Sequence, residues 1–220
     1  MLNDPGGRER LLKLGLRQGP IIARGEEYVF GQSMDDVVEF LGLGTGGSHQ
    51  RLPTEQLIDK WRRALQVAVK YARQLPNDRI NELALEGRPR TVRQVMHHLL
   101  RIAEAFLEAS IDGVEYTMDL YQKPPKDGTY TTGEALAVYG EGIDQRLQKW
   151  WDELEDRTCK RTLKTYYGVQ SIYVVYERST WHSAQHVRQI AAVLERYGIK
   201  PADRLTEQDL AGLPMPEEIW

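Results

Sequence analysis

The apolar positions of the chain follow two regimes, separated by a stretch with no periodicity. From residue 54 onward they recur every three to four positions over long segments, which predicts amphipathic helices. Leu57, Ile58, Trp61, Leu65, Ala68, Val69 and Ala72 line the first, which opens at Pro53-Thr54-Glu55-Gln56 and closes at Pro76. Thr91 caps the second, which runs to about Ser110 with Gly113 just beyond. Pro124, Pro125 and Gly128 mark a long connection. The third helix starts near Thr132 and carries Leu136, Tyr139, Ile143, Leu147, Trp150, Trp151 and Leu154, with Gly140 and Gly142 weakening its middle. The fourth extends from about Val169 to Tyr197 and ends at Gly198 and Pro201. Long helices with long connections predict a four-helix bundle with at least one crossover over residues 52–200, then an irregular tail, 201–220.

The first forty or so residues read differently. Arg8 to Leu14 is a short helical pattern, and Pro20–Ala23 and Tyr28–Phe30 read as strands around a turn at Gly25. Ser33 is placed to cap a helix over residues 34–41, with Asp35 and Asp36 in its first turn. So short a segment cannot build its own core, and a two-strand hairpin is marginal alone. Ile21, Ile22, Val29, Val37, Phe40 and Leu41 are therefore expected to bury against the bundle or against a second chain's equivalent segment. The second option predicts a homodimer made by pairing strand edges. Between the regimes, Gly42 to Arg51 holds a run of glycines that reads as a flexible linker over residues 44–51. No lysine follows the glycines at the required spacing and no strong strand precedes them, so a phosphate loop is the poorer reading.

The pattern Asn3-Asp4-Pro5, Leu14-Gly15, Gln18-Gly19-Pro20-Ile21-Ile22, Gly25, Tyr28-Val29-Phe30-Gly31 and Phe40-Leu41-Gly42 resembles the C-terminal half of a glutaredoxin. The resemblance implies a cis peptide before Pro20. That family's redox cysteines lie in its first half, and this sequence has no counterpart, so the resemblance implies no glutaredoxin redox chemistry. The expected fold class is mainly α: a four-helix bundle with a small, partial thioredoxin-like α/β segment, residues 1–43, at its N-terminus.

Composition narrows the functional classes. Of 220 residues 41% are hydrophobic and 28% charged, enough to bury a core and clothe it. Lys+Arg 29 against Asp+Glu 32 leaves a net charge of −3, with no basic excess to bind nucleic acid. Apolar runs such as residues 190–194 are too short to span a membrane, and the N-terminus carries Asp4 and Glu9 and no apolar stretch of a signal peptide. A cytoplasmic protein, with no nucleic-acid or membrane partner, is expected. Cys159 is the single cysteine, which forbids an intrachain disulfide and a multi-cysteine zinc site. Arg157, Lys160 and Arg161 beside it are expected to lower its pKa, but with no partner motif it reads as non-catalytic.

Candidate chemistry lies in the histidines. His182 and His186 are four apart on the fourth helix, one turn above each other. At about 100° per residue from His182, Ile172, Ser179, His186, Ile190, Val193 and Tyr197 fall between about 20° and 80°, so the pair borders an apolar face. Imidazoles on a buried face need hydrogen-bond acceptors or a metal. On the second helix, His98 lies roughly 90° from the apolar stripe and can reach the interior; His97 falls almost opposite the stripe and is expected in solvent. By themselves these residues leave core packing and metal binding both open, since bundle cores are also where metal sites are assembled.

Thr91 to Leu99, Tyr166-Tyr167-Gly168 and Trp181-His182-Ser183-Ala184-Gln185-His186-Val187-Arg188-Gln189-Ile190 resemble the DinB-like metalloenzyme family, over about two-thirds of the chain. That family has one histidine on the second helix and an H-x3-H pair on the fourth. The resemblance implies that His98, His182 and His186 hold a divalent metal, zinc or nickel first, with iron, manganese or copper also compatible. It also implies a thiol-dependent S-transferase or isomerase, with a low-molecular-weight thiol as cofactor and a small electrophile as substrate. Hydrolysis by metal-activated water is the alternative, and a non-catalytic metal-binding module is the alternative from outside the enzymes. Among other residues, Arg101 is expected to be a solvated helix charge and Glu177 a surface carboxylate. Gln185 and Arg188 are expected in packing or surface roles, and Tyr166, Tyr167 and Trp181 either wall a pocket or pack a bundle end.

Overall fold

Local signals place the elements of the N-terminal unit. In the computed structural model, which describes residues 5–16, 19–43 and 51–219, the chain divides into two units, Met1–Arg51 and Leu52–Trp220. Helix α1 (Pro5–Lys13) precedes strands β1 (Ile21–Arg24) and β2 (Glu27–Phe30), paired antiparallel with Ile21 opposite Phe30 and Arg24 opposite Glu27. The Gly19–Pro20 peptide is cis. Ser33 caps α2 (Met34–Leu41) as expected, its Oγ accepting the Asp36 amide at 3.2 Å. No residue of α2 is fully buried, and Ile21, Ile22 and Val29 are only half-buried. Residues 44–50 of the expected linker lie outside the described residues, as do Asn3, Asp4 and Gln18 of the glutaredoxin-like pattern.

In the second unit, four long helices carry the core. They are α3 (Thr54–Gln74), α4 (Val92–Asp112), then, after the short α5 (Met118–Gln122), α6 (Gly133–Glu153), and, after a hairpin of β3 (Thr162–Thr165) and β4 (Gly168–Ser171), α7 (Ile172–Arg196). Thr91 and Gln94 close a capping box on α4, while Thr132 and Ser171 accept first-turn amides of α6 and α7. The fourth helix therefore begins later than its apolar pattern suggests, because residues 162–171 pair as a hairpin around Tyr166 and Tyr167. Helices α3 and α4 each pack against α6 and α7, so successive helices α3 and α4 stand on a diagonal. That arrangement explains the long connection over residues 75–91. Every long helix contributes one ring to the centre: Trp61 and Phe106 lie 5.2 Å apart, Phe106 and Trp150 4.9 Å, Trp150 and Tyr176 5.4 Å. No helix among the described residues is long and apolar enough to cross a membrane.

The two glycines that weaken α6 in sequence terms differ in purpose. A Cβ on Gly140 would lie 2.9 Å from Val69 Cγ2 and 3.1 Å from Leu100, so glycine there lets three helices approach closely, whereas Gly142 has nothing within 4 Å. Gly133 is tighter still, since its Cβ would fall 2.1 Å from the Ala72 carbonyl oxygen. Gly142→Ala is expected to raise stability by about 0.5–1 kcal/mol, by relieving the cost of glycine in a helix. Gly133→Ala should cost about 1–3 kcal/mol through overpacking against backbone. Urea unfolding of the two variants checks both signs.

The tail, expected to be irregular, holds α8 (Glu207–Leu210), closed by a capping box between Thr206 and Asp209. Beyond it, the carbonyls of residues 216–219 accept hydrogen bonds from α7: Arg188 to Pro216 at 2.7 Å, Gln185 to Ile219 at 2.7 Å and Gln189 to Ile219 at 2.8 Å.

Candidate metal centre

One face of α7 and one residue of α4 build the centre. His182 and His186 stack a turn apart with their Nε2 atoms 3.2 Å from each other, and the His98 ring meets them edge-on at 5.4 and 4.9 Å. One ring nitrogen from each of the three histidines lies within 4.8 Å of the others. The structure thus brings together the three histidines singled out in the sequence. His98 and His186 are buried and His182 is half-buried.

Hydrogen bonds at the far side of two rings set their tautomers. His98 Nδ1 lies 3.1 Å from the Tyr121 carbonyl oxygen, which can only accept, so Nδ1 carries the proton and Nε2 keeps its lone pair. His186 Nδ1 pairs with Gln189 Oε1 at 2.7 Å, with the same consequence. Gln189 is itself held through its Nε2 by the Ile219 carbonyl. A chain of contacts therefore runs from the C-terminal segment through Gln189 to His186, the kind of outer support that orients metal-binding imidazoles. Among the described residues, His182 Nδ1 is buried without a hydrogen-bond partner.

Burial, the largest of the physical causes, keeps these rings neutral. It pulls the His98 and His182 pKa values well below the usual imidazole range, and that of His186 to about 4. Neutral rings with inward lone pairs are what a cation requires. The lone pair of His186 Nε2 faces His182 Nε2 at 3.2 Å, a spacing that a proton on His182 Nε2 or a cation shared by both rings satisfies. A tetrahedral ion with bonds of about 2.0–2.1 Å would hold ligand nitrogens at nearly that spacing. The donor set fits a divalent metal.

The other sequence candidates fall elsewhere. His97 is buried, not solvated, stacked on Tyr139 with ring centres 5.7 Å apart and facing Tyr130 at 5.4 Å, and burial lowers its pKa to about 4. The reason is that α6 and the segment after α5 cover the face of α4 that the apolar stripe leaves. Arg101 is not a solvated charge: it is buried, and its guanidinium bonds Glu104 at 2.6 Å, Glu108 at 2.6 Å and the Leu120 carbonyl at 2.9 Å. It anchors α5, whose next carbonyl holds His98. Glu177 is buried, taking a hydrogen bond from Tyr173 at 3.0 Å, and lies off the histidine face. Gln185 and Arg188 serve the tail. Cys159 corrects a further expectation, since desolvation outweighs its basic neighbours and Asp156 and Glu55 act the same way, raising its pKa to about 11. It stays a buried thiol, apart from the centre.

Sequence reasoning passed over three contributors. Tyr121 stacks between Tyr116 and Tyr166 at 5.5 and 5.8 Å, with its ring 6.2 Å from His182. Tyr166 is thus part of the wall, and Trp181 lies 5.8 Å from His182. Gln189 was readable from its i+3 spacing after His186. Arg178, four residues before His182, was readable from its place on the same face, and it is 5% exposed.

No protein-family model matches the chain, and no curated protein matches it at a significant level. A solved structure that is similar in part is YfiT from Bacillus subtilis, described as a probable metal-dependent hydrolase with an unusual four-helix bundle topology. The match covers 65% of this chain and 89% of YfiT at 19% sequence identity, with a TM-score of 0.49. A likeness at that level speaks neither to the activity nor to the site residues of this chain.

Proposed function

We propose that this chain is a metal-dependent enzyme whose divalent cation is held by His98, His182 and His186, and that it transfers or isomerises through a low-molecular-weight thiol. The observation that carries the reading is the convergence of three neutral imidazoles, from two helices, on one point. Such an ion, when bound, supplies the Lewis acidity that turns a weak external nucleophile into a strong one at neutral pH. Tyr121 and Gln189 keep two of the rings turned inward, so the site is organised before any ligand arrives. Among the described residues, Cys159 lies elsewhere and Ser183 is engaged by Trp61 at 3.0 Å, so neither supplies a nucleophile at the centre. In this reading the attacking group enters from outside. The resemblance of residues 91–99 and 181–190 to a family with thiol-dependent members favours a thiol over water.

Cobalt-substituted protein is the test. Adding glutathione or another small thiol should shift the visible absorption and permit conjugation of an electrophile such as chlorodinitrobenzene. A spectrum that ignores every thiol, together with metal-dependent ester hydrolysis, would replace the transfer reading by a hydrolase. Bound metal with neither response would make the bundle a structural module.

A further inference from the structure

Among the described residues, the charged side chains that line the opening beside His98 have one sign. A cavity of about 100 Å³ opens beside His98, and Arg90, Gln94, His97, Gln122 and Lys123 line it. Its two charged walls are both cationic. Arg90 is half-buried and makes no ion pair among the described residues, and desolvation pulls its pKa down. Behind the histidines, the Nε and Nη1 of Arg178 are buried without an acceptor among the described residues; its Nη2 reaches the Tyr166 hydroxyl at 3.3 Å and its guanidinium lies 5.2 Å from the Tyr121 ring centre. Arg90 lines the cavity beside His98, and Arg178 stands one helical turn before His182 on α7. The acids on this part of α4, Glu104 and Glu108, are turned away and engaged by Arg101.

Positive charge collected in a desolvated site is costly until an anion joins it. A divalent ion on three neutral ligands adds to the imbalance. A guanidinium presents a planar fork that fits an oxyanion through two parallel hydrogen bonds, and Lys123 adds a mobile point charge at the rim. We infer that the ligand of this centre is a small organic anion whose carboxylate is held by Arg90 and Lys123 in the cavity, placing its adjoining atoms beside His98. As a statement about substrate it rests on the metal-enzyme reading; as a statement about binding it stands on Arg90, Lys123 and the cavity.

Calorimetric titration of the purified protein with acetate, succinate, neutral succinamide and inorganic phosphate tests it, with metal content measured on each sample before and after chelation. Succinate or acetate should bind at least about tenfold more tightly than succinamide, as expected for charge-assisted hydrogen bonds. Arg90→Gln should weaken that binding by a similar factor, Lys123→Gln by less, and Arg90→Lys should restore part of it, with metal stoichiometry and circular dichroism unchanged. Equal binding of succinate and succinamide, no carboxylate binding at all, or no effect of either glutamine variant overturns the inference. Phosphate binding tenfold tighter than either carboxylate overturns the carboxylate assignment. Carboxylate binding through Arg90 in a protein that holds no metal would reject the proposed function and leave this inference standing; metal without carboxylate binding would do the reverse.

Discussion

His182→Ala and His186→Ala are each expected to abolish stoichiometric metal binding, while His97→Ala leaves it near the wild-type level. Each of the first two removes one of the three imidazoles whose nitrogens converge within 4.8 Å among the described residues, and nothing else in that set can replace it. His97 has its ring against Tyr130 and Tyr139 and contributes no nitrogen to the convergence. Gln189→Ala should fall between these limits, weakening affinity by about 10–100-fold, because His186 loses the acceptor that fixes its Nδ1–H and its ring orientation. Elemental analysis after equilibrium dialysis measures all four variants, and circular dichroism confirms that each is folded. Full occupancy in a His182→Ala, His186→Ala double variant would sink the assignment of the site.

Trp61→Ala carries the largest expected loss of stability, about 3–5 kcal/mol. Trp61 is fully buried, its ring lies 5.2 Å from Phe106 and 5.6 Å from Tyr176, and its Nε1 donates to Ser183 Oγ at 3.0 Å. Truncation therefore opens a cavity where four helices meet and strips Ser183 of its donor. A domain of this kind has a total of about 5–15 kcal/mol to lose, so the urea midpoint should fall steeply. Ser183 directly follows His182, so the folded fraction should also show a loosened metal site. Trp61→Phe keeps most of the ring and should cost markedly less. A loss below about 1 kcal/mol for the alanine variant would contradict the packing described for the bundle centre.

The legible part of this protein is the part governed by near neighbours in sequence. The caps at Ser33 and Thr91 act over three residues, so they could be read directly and occur where expected, and the third helix starts at the Thr132 cap near where its pattern begins. The pair His182 and His186 was legible for the same reason, since i and i+4 share a face on any helix. The same rule fails for residues 162–171, whose apolar and aromatic content suits helix or strand; pairing of Thr165 with Gly168 settles it as a hairpin. His98 was placed within reach of the interior by its angle on α4, but its partners were not, because they stand on a helix far along the chain.

Sequence by itself determined four amphipathic helices, the cap at Thr91 and the three histidines able to meet. Only the tertiary structure decided which surroundings each side chain has. His97 and Arg101 look solvated on a helical wheel and are buried, because α5, α6 and the connection between them cover α4 on faces its own apolar stripe does not occupy. Cys159 has basic neighbours in sequence, yet its pKa rises, since desolvation acts on the thiol where it is packed rather than where it is written. The support of His186 by the C-terminal segment, and the seclusion of Arg178 among tyrosines, likewise join residues distant in sequence. Periodicity and capping are local and survive in a string of letters. Burial, charge balance and the orientation of a ligand ring depend on what distant elements place beside a residue, and only packing specifies that.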